Sequence, residues 1–407
     1  MTTTADASAT ADTSAAPGTT AADLLDRVRE LRPLLEKNAA RGEEDRRVAE
    51  ESITALTEAG AFRLTQPRRY GGYEAPMRTV LDVCAAVAEG DGGTSWVVSL
   101  NAVCQFMAAL YPERAQDEVW GDNPDAKVSG VLTTTSESVR VEGGHRVTGR
   151  WYYNSGSWHA DWAVLGVPVT DADGEVVDHG LALVPFTDLD IEETWFVAGM
   201  RSSGSNCLVG KDVFVPDHRM ISVPPTIEGA HLPDHPDSPL YRSPFVPFLA
   251  LILAGPQLGM GRRVLEIVTE KASRKAISLT SYTTQADSVG FQLQLAEAAQ
   301  LIDTAHLHAY RAADDIDRAA AAGVYPGPKE RARVRADTSW VMRHITQAID
   351  LLMFAHGSGG FAEVSPLQRM WRDSAVAARH AVALPAVGLK VYGKALLDRE
   401  DRITPLI

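Results

Sequence analysis

The hydrophobic period changes twice along this chain, and that order of periods limits the fold more than any other feature. Over residues 21–111 apolar positions recur at three and four (Leu24, Leu25, Val28, Leu31, Leu34, Leu35), a second amphipathic run covers 48–59 and stops at Gly60, and 77–88 and 95–110 are mostly apolar. Such spacing predicts helices. From about residue 125 polar and apolar residues alternate (Val139, Val141, then His145, Arg146, Val147, Thr148) around Glu142-Gly143-Gly144, a hairpin signal. Extended patterns continue at 162–169, 181–185 and 211–216, with a turn at 171–174, and a Pro-rich linker runs from Val223-Pro224-Pro225 to Ser243-Pro244. From 248 to 397 Ala- and Leu-rich helical patterns return, broken at 321–328. This predicts a disordered tail over 1–20, a helical domain over 21–124, a β domain over 125–230 and a helical bundle over 240–407.

Charge and cysteine usage narrow the function classes. Lys and Arg number 39 against 53 Asp and Glu, a net charge of -14, so a nucleic acid or anionic membrane would have to be bound against the mean field. The three cysteines, Cys84, Cys104 and Cys207, form no CxxC pair, and His306 and His308 stand two apart on a helix, so no disulfide framework or metal site is expected. The first twenty residues lack the basic start and apolar stretch of a signal peptide. The most apolar run, 245–254, carries Pro247 and meets Gly255-Pro256 well short of the roughly 20 residues of a spanning helix, so it reads as a buried core helix. A cytoplasmic protein with no membrane partner is the expectation.

Four strings occur in order along nearly the whole chain: Arg68-Arg69-Tyr70-Gly71-Gly72; Gly199-Met200-Arg201-Ser202-Ser203-Gly204-Ser205; Asp212-Val213-Phe214-Val215-Pro216; and Gly359-Gly360-Phe361 followed by Pro366-Leu367-Gln368-Arg369-Met370-Trp371-Arg372-Asp373. Together, over residues 21–398, they make the chain resemble the acyl-CoA dehydrogenase superfamily. The resemblance implies a mainly α fold with a central β domain: an N-terminal helical domain, a β-barrel-like middle domain and a C-terminal four-helix bundle, with flavin between them in a homotetramer.

The reacting residues choose the branch. A dehydrogenase of this family takes an acidified proton with a carboxylate placed shortly after the Arg-Asp pair. Residues 374–385 hold no carboxylate; instead His380 stands seven residues after Asp373, a string that resembles the two-component flavin-dependent monooxygenases of the same fold. Alone, such a histidine on an Ala-rich helix reads as a core residue. The resemblance implies a general base that turns a phenol of pKa near 10 into a phenolate, worth about 10²–10⁴ in rate. Likewise Gly149-Arg150-Trp151-Tyr152-Tyr153-Asn154-Ser155-Gly156-Ser157-Trp158-His159-Ala160-Asp161-Trp162 resembles an oxygenase string that sets Ser155 against the flavin N5 edge, with Trp151 and Tyr153 beside the cofactor and His159 on the site wall. Read as bare sequence, Trp151, Tyr153 and Trp162 alternate as a core-packed strand does. By resemblance Thr134 and Thr135, within the hydroxyl run 133–136, and Gly359 and Gly360 lie at the flavin, and Arg274 meets a flavin phosphate. Phenol hydroxylases of the family hold the substrate hydroxyl with a second His on the helix that here follows Ser95-Trp96-Val97. Asn101, Cys104 and Gln105 stand in that region instead, and Asn101 and Gln105, one turn apart, are candidates to bind a carbonyl or hydroxyl.

The expectation is therefore the oxygenase component of a two-component monooxygenase: reduced FMN or FAD arrives from a separate NAD(P)H flavin reductase, O2 forms a C4a-hydroperoxyflavin, and an aromatic substrate, phenolic or polycyclic, is hydroxylated. No Gly-x-Gly-x-x-Gly turn for a nicotinamide cofactor competes, since Gly259-Met260-Gly261 lies in a helical pattern. The alternatives are an acyl-CoA dehydrogenase or oxidase whose carboxylate lies elsewhere in the bundle, for instance near the end of 251–266, an oxygenase acting on the amino group of a nucleotide sugar, and a scaffold protein in which no site residue matters.

Overall fold

Capping residues mark off the first helices. α1 (Ala21–Glu30), α2 (Arg32–Asp45) and α3 (Glu50–Ala59) lead to Gly60, whose φ of +91° costs a glycine nothing. Between α4 (Met77–Gly90) and α5 (Gly92–Ala108) stands the single residue Asp91, whose carboxylate accepts the Thr94 backbone N–H at 2.8 Å and caps α5. α5 is apolar on all sides because it is enclosed on all sides, and α6 (Glu113–Trp120) completes the segment. The computed structural model describes residues 21–171, 175–399, 401 and 403–407. The tail expected over 1–20 and most of the turn expected at 171–174 lie outside them.

The alternating segment forms β1 (Val128–Val131), β2 (Ser136–Val141), β3 (Gly144–Asn154), β4 (Trp162–Thr170), β5 (Val176–Pro185), β6 (Asp190–Glu192), β7 (Asn206–Pro216) and β8 (Met220–Ser222). They make two four-stranded sheets, β1-β4-β5-β8 and β2-β3-β7-β6, antiparallel except for the parallel pair β1–β4. The hairpin read at Glu142-Gly143 is present: Val141 pairs with Gly144, and Gly143 takes φ +75°. Val147, Trp151, Leu165, Val167, Leu208 and Val215 meet in a core enclosed by these sheets. In β3 the pairing with β7 slips between Trp151 and Asn154, so Tyr152 and Tyr153 both face outward while Trp151 and Asn154 turn in.

The linker contains the short helix α7 (Val223–Ile227), and the last segment forms α8 (Phe245–Leu251), α9 (Ala254–Ala272), α10 (Val289–Ala322), α11 (Pro328–His356), α12 (Pro366–Ala377) and α13 (Pro385–Leu396). One expectation is corrected here. Gly255-Pro256 does not stop the apolar run: both residues lie in the first turn of α9, where a missing N–H costs nothing. The stretch Phe245–Ala272 is thus 28 residues, long and apolar enough to cross a membrane by length and composition, yet 89% of its most apolar window is buried inside the fold.

The two helical segments, distinct in sequence, share one core that runs from Leu24 to Ala383. Glycines on α9 let it lie directly on α4: a Cβ on Gly259 would sit 2.0 Å from the Ala85 carbonyl oxygen, and one on Gly255 2.6 Å from Cys84 Cβ.

Candidate functional site at the junction of three segments

Three strings from the three segments meet at one point. Asp91-Gly92-Gly93 begins α5, residues 199–205 form a tight turn before β7, and Arg372-Asp373 lies on α12. Here glycines let the segments approach: a Cβ on Gly93 would lie 2.0 Å from the Ser202 side-chain Oγ, and one on Gly199 2.4 Å from the Arg372 carbonyl oxygen. Met200 holds a left-handed φ of +55°, and its N–H donates to Asp373 Oδ1 at 2.5 Å. Asp373 is buried, and that burial, with the Asp91 carboxylate close by, pushes its carboxyl up to about 7. The 199–205 string is therefore a clamp that ties the β domain to both helical segments.

Ser155 sits on this clamp. β3 delivers it, and Gly156 follows at φ +74°, with room for a Cβ only 2.9 Å from Val97 Cγ1. Its buried hydroxyl accepts the Trp96 indole N–H at 3.1 Å and lies 2.8 Å from Ser205 Oγ. The other face of the Trp96 neighbourhood is His380, whose ring stands edge-on to the indole with centroids 5.7 Å apart. One buried tryptophan thus joins the two residues expected to be catalytic. Burial first, then the Arg335 guanidinium, draw the His380 imidazole down to about 4. Its Nδ1 accepts the Val382 N–H at 3.3 Å, so the neutral ring carries its proton on Nε2. In this geometry Nε2–H is the group that His380 can present to a neighbour.

The residues expected at a flavin divide. Tyr153 is 72% exposed, with a left-handed φ of +69°, and makes an edge contact with Trp195, so it presents an aromatic face beside Ser155. Asn154 is completely buried with neither amide atom hydrogen-bonded, unspent donor and acceptor capacity of the kind a flavin ring edge needs. Trp151 is corrected: it is 1% exposed and spends its indole N–H on the Gly166 carbonyl at 2.9 Å, so it belongs to the β core. Thr135 ties the β1–β2 loop to the Arg150 carbonyl, and Thr134 is exposed in that loop. Arg274 is exposed just past the end of α9. Lys275, which sequence reasoning passed over, bonds the His356 carbonyl and would lie 3.9 Å from a Cβ on Gly359; Gly360 packs on His356 and Met353. Lys275 thus stands beside a glycine turn, with Lys271 close enough for its charge to act on His356, and this pair of cations fits a flavin phosphate. Among the described residues no cluster of His, Cys, Asp or Glu could hold a metal.

The candidates for substrate binding are not brought together. Gln105 is wholly buried and donates to the Phe62 carbonyl at 2.6 Å, and Cys104 packs under Gly130 with its thiol pushed up by burial, so both serve the core. Asn101 donates to the Val128 carbonyl at 3.1 Å, leaving its buried Oδ1 without a partner. His159 faces Glu50 at 3.5 Å and the α2–α3 joint, not His380, and burial lowers its pKa. A cavity of about 180 Å³ opens nearby between Arg46, Trp158, Trp195 and Phe196, and neither Ser155 nor His380 lines it.

Models of the acyl-CoA dehydrogenase N-terminal and C-terminal domains match residues 20–121 and 251–385. The oxygenase subunit HsaA of a flavin-dependent monooxygenase from Rhodococcus jostii is 32% identical, with 91% of this chain and 97% of HsaA covered. The oxygenase component of p-hydroxyphenylacetate 3-hydroxylase from Acinetobacter baumannii is 28% identical over 94% of this chain and 91% of its own. Among solved structures, XiaF from Streptomyces sp. in complex with FADH2 and glycerol superposes with a TM-score of 0.91 at 38% identity, covering 95% of this chain and 97% of XiaF. The family models and these relatives show that the chain belongs to the acyl-CoA dehydrogenase family, in its branch of flavin-dependent monooxygenase oxygenase subunits.

Proposed function

We propose that this chain is the oxygenase component of a two-component monooxygenase that hydroxylates an aromatic, phenolic or polycyclic, small molecule. The observation that carries the reading is His380 beside Trp96 and Ser155, at the place where a dehydrogenase would need a carboxylate. Glu266, the carboxylate at the end of 251–266 and one candidate base for the dehydrogenase alternative, is held instead in ion pairs with Arg32 and Arg263 at the protein surface. Reduced FMN or FAD, when bound, supplies the electrons that activate O2. Ser155 holds the proton at the flavin N5 edge, Tyr153 covers the ring, and Lys275 with Arg274 meets the phosphate. His380, kept neutral, points its Nε2–H at the substrate oxygen; the Arg335 field that disfavours an imidazolium there favours a phenolate.

Because Gly259 and Gly261 lie inside α9 and form no nucleotide turn, the flavin is taken to come reduced from a separate NAD(P)H reductase. Val289, Leu293, Leu307, Phe354, Phe361 and Val364 leave apolar surface exposed on the bundle, which supports a homotetramer, and three buried thiols suit a reducing cytoplasm. The test is to give the protein reduced flavin anaerobically, then O2 with a panel of phenols, and to measure hydroxylated product against hydrogen peroxide. Wild type is expected to couple O2 use to product. His380→Ala should lower product by about 10²-fold while peroxide appears in its place. Bleaching of bound oxidised FAD by an acyl-CoA thioester, or unchanged product from His380→Ala, would overturn the reading.

A further inference from the structure

We infer that Ser203 and Ser205 fix the direction of the Ser155 hydroxyl, so that Ser155 meets the flavin as a hydrogen-bond acceptor only. The inference rests on the reading above that Ser155 stands at the flavin N5 edge.

Proton counting along a buried hydroxyl chain carries it. Ser203 Oγ lies 2.7 Å from the Met200 carbonyl oxygen, and a carbonyl only accepts, so the one proton of Ser203 is committed there. Ser205 Oγ is 2.7 Å from Ser203 Oγ. With Ser203 already donating elsewhere, Ser205 must be the donor in that contact; otherwise two lone pairs would face each other in a buried site. Ser155 Oγ is 2.8 Å from Ser205 Oγ, and by the same reasoning Ser155 donates to Ser205. The Trp96 indole N–H, which can only donate, takes one lone pair of Ser155 at 3.1 Å. Ser155, Ser203 and Ser205 are 9%, 1% and 3% exposed, so water is not there to reverse the chain. What Ser155 has left for a ligand is one lone pair.

The root of the chain is held firmly. The Met200 carbonyl also accepts the Trp195 indole N–H at 2.8 Å and the Ser203 N–H at 3.1 Å, while the Met200 N–H is bound by Asp373. The Arg-Asp string that marks the family thus anchors, through the single residue Met200, the polarity of a hydroxyl on another segment.

The consequence is discrimination between redox states of the cofactor. A reduced flavin carries an N–H at N5 and can donate to Ser155; an oxidised flavin carries a lone pair there and meets another lone pair. Ser203 and Ser205 are therefore positioning residues that make the site favour reduced flavin, and they hold the N5 proton in place while O2 is used. Truncating either should free the proton of Ser155 to turn toward the ligand: directly in Ser205→Ala, and in Ser203→Ala because Ser205 loses its acceptor and can donate to Ser155.

The experiment is a pair of equilibrium titrations, oxidised FMN and FAD in air and the reduced forms anaerobically, on wild type, Ser203→Ala and Ser205→Ala, each first checked for wild-type circular dichroism. Wild type is expected to bind the reduced form more tightly. Both variants should narrow the reduced-to-oxidised affinity ratio by about fivefold or more, the worth of one hydrogen bond, with oxidised flavin binding more tightly than to wild type. A gain of affinity is an outcome that simple loss of packing does not produce, and Ser203, which does not touch Ser155, tests the relay even where Ser205→Ala fails to fold. The proton resonance of N5–H in ¹⁵N-labelled reduced flavin should lie downfield in wild type and move upfield in both variants. An unchanged ratio, or equal losses for both redox forms, overturns the relay while leaving the flavin reading intact. Failure of wild type to bind either form overturns the flavin reading itself, and the relay with it.

Discussion

At pH 7 the His380 imidazole is neutral, because burial and the Arg335 guanidinium both penalise the imidazolium and draw it down to about 4. An unfolded chain protonates the same ring near 6.5, so stability from this residue is fully present above pH 6.5 and is lost as pH falls toward 4. The kinetic corollary is that kcat/KM for a phenol has no acid limb from His380 between pH 5 and 8, and that His380→Gln keeps the shape of the profile; a limb near 6.5 that disappears in His380→Gln would contradict this. A second residue shows how little slack the junction has. A methyl on Gly93 would lie 2.0 Å from Ser202 Oγ. Gly93→Ala should lower stability by about 1–3 kcal/mol in urea titration and weaken flavin binding, since the clamp must shift to admit it.

Among elements, α12 and the turn before β7 are joined by a carboxyl in an unusual state. Asp373 is raised to about 7 by burial and by Asp91, whereas an unfolded Asp titrates near 3.8. The folded state therefore binds the extra proton between those values, and the stability it contributes, full below pH 4, is lost as pH rises through 7. Asp373→Asn should flatten that slope and raise stability at pH 8 relative to pH 5 by about 1–2 kcal/mol compared with wild type; parallel slopes for both proteins would refute it. The α4–α9 contact offers a packing test. Gly259→Val would drive a side chain into the Ala85 carbonyl, 2.0 Å from the Cβ position, and should cost about 3 kcal/mol or more, with the loss seen in the midpoint of thermal unfolding.

On the scale of the whole molecule, the helices of both ends bury into one core, which also takes in Val128, Val164, Leu181 and Leu183 from one face of the β1-β4-β5-β8 sheet, and a second core lies between the two sheets. Residues 21–120 and 245–396 should then melt as one cooperative unit, whichever of them carries the mutation. Hydrogen exchange read by segment checks this: Gly259→Val should speed exchange in α1–α6 and α9–α11 together, and protection lost in only one of the two would show separate domains.

Much of this architecture was legible in the residues. A helical period, then alternation, then a helical period dictate which segments can bury a stripe and which a face, and glycines at Gly60 and Gly143 end elements for reasons local to the backbone. Local signals failed where meaning depends on what lies opposite. Trp151 and Tyr153 look alike in an aromatic strand, yet a slip in the β3–β7 register sends one inward and the other out. Trp96, Ser203 and Ser205 carry no periodic signal for a site, because what a buried hydroxyl offers depends on its partners: Ser155 meets Trp96 and Ser205 from other segments, and Ser203 bonds a Met200 whose own N–H is held by Asp373. The sequence by itself determined the kinds of element, their order and the presence of Ser155 and His380. Only the tertiary structure decided that Trp96 joins those two, and that Gln105 and His159 serve the framework, since each depends on burial and on partners that chain order does not reveal.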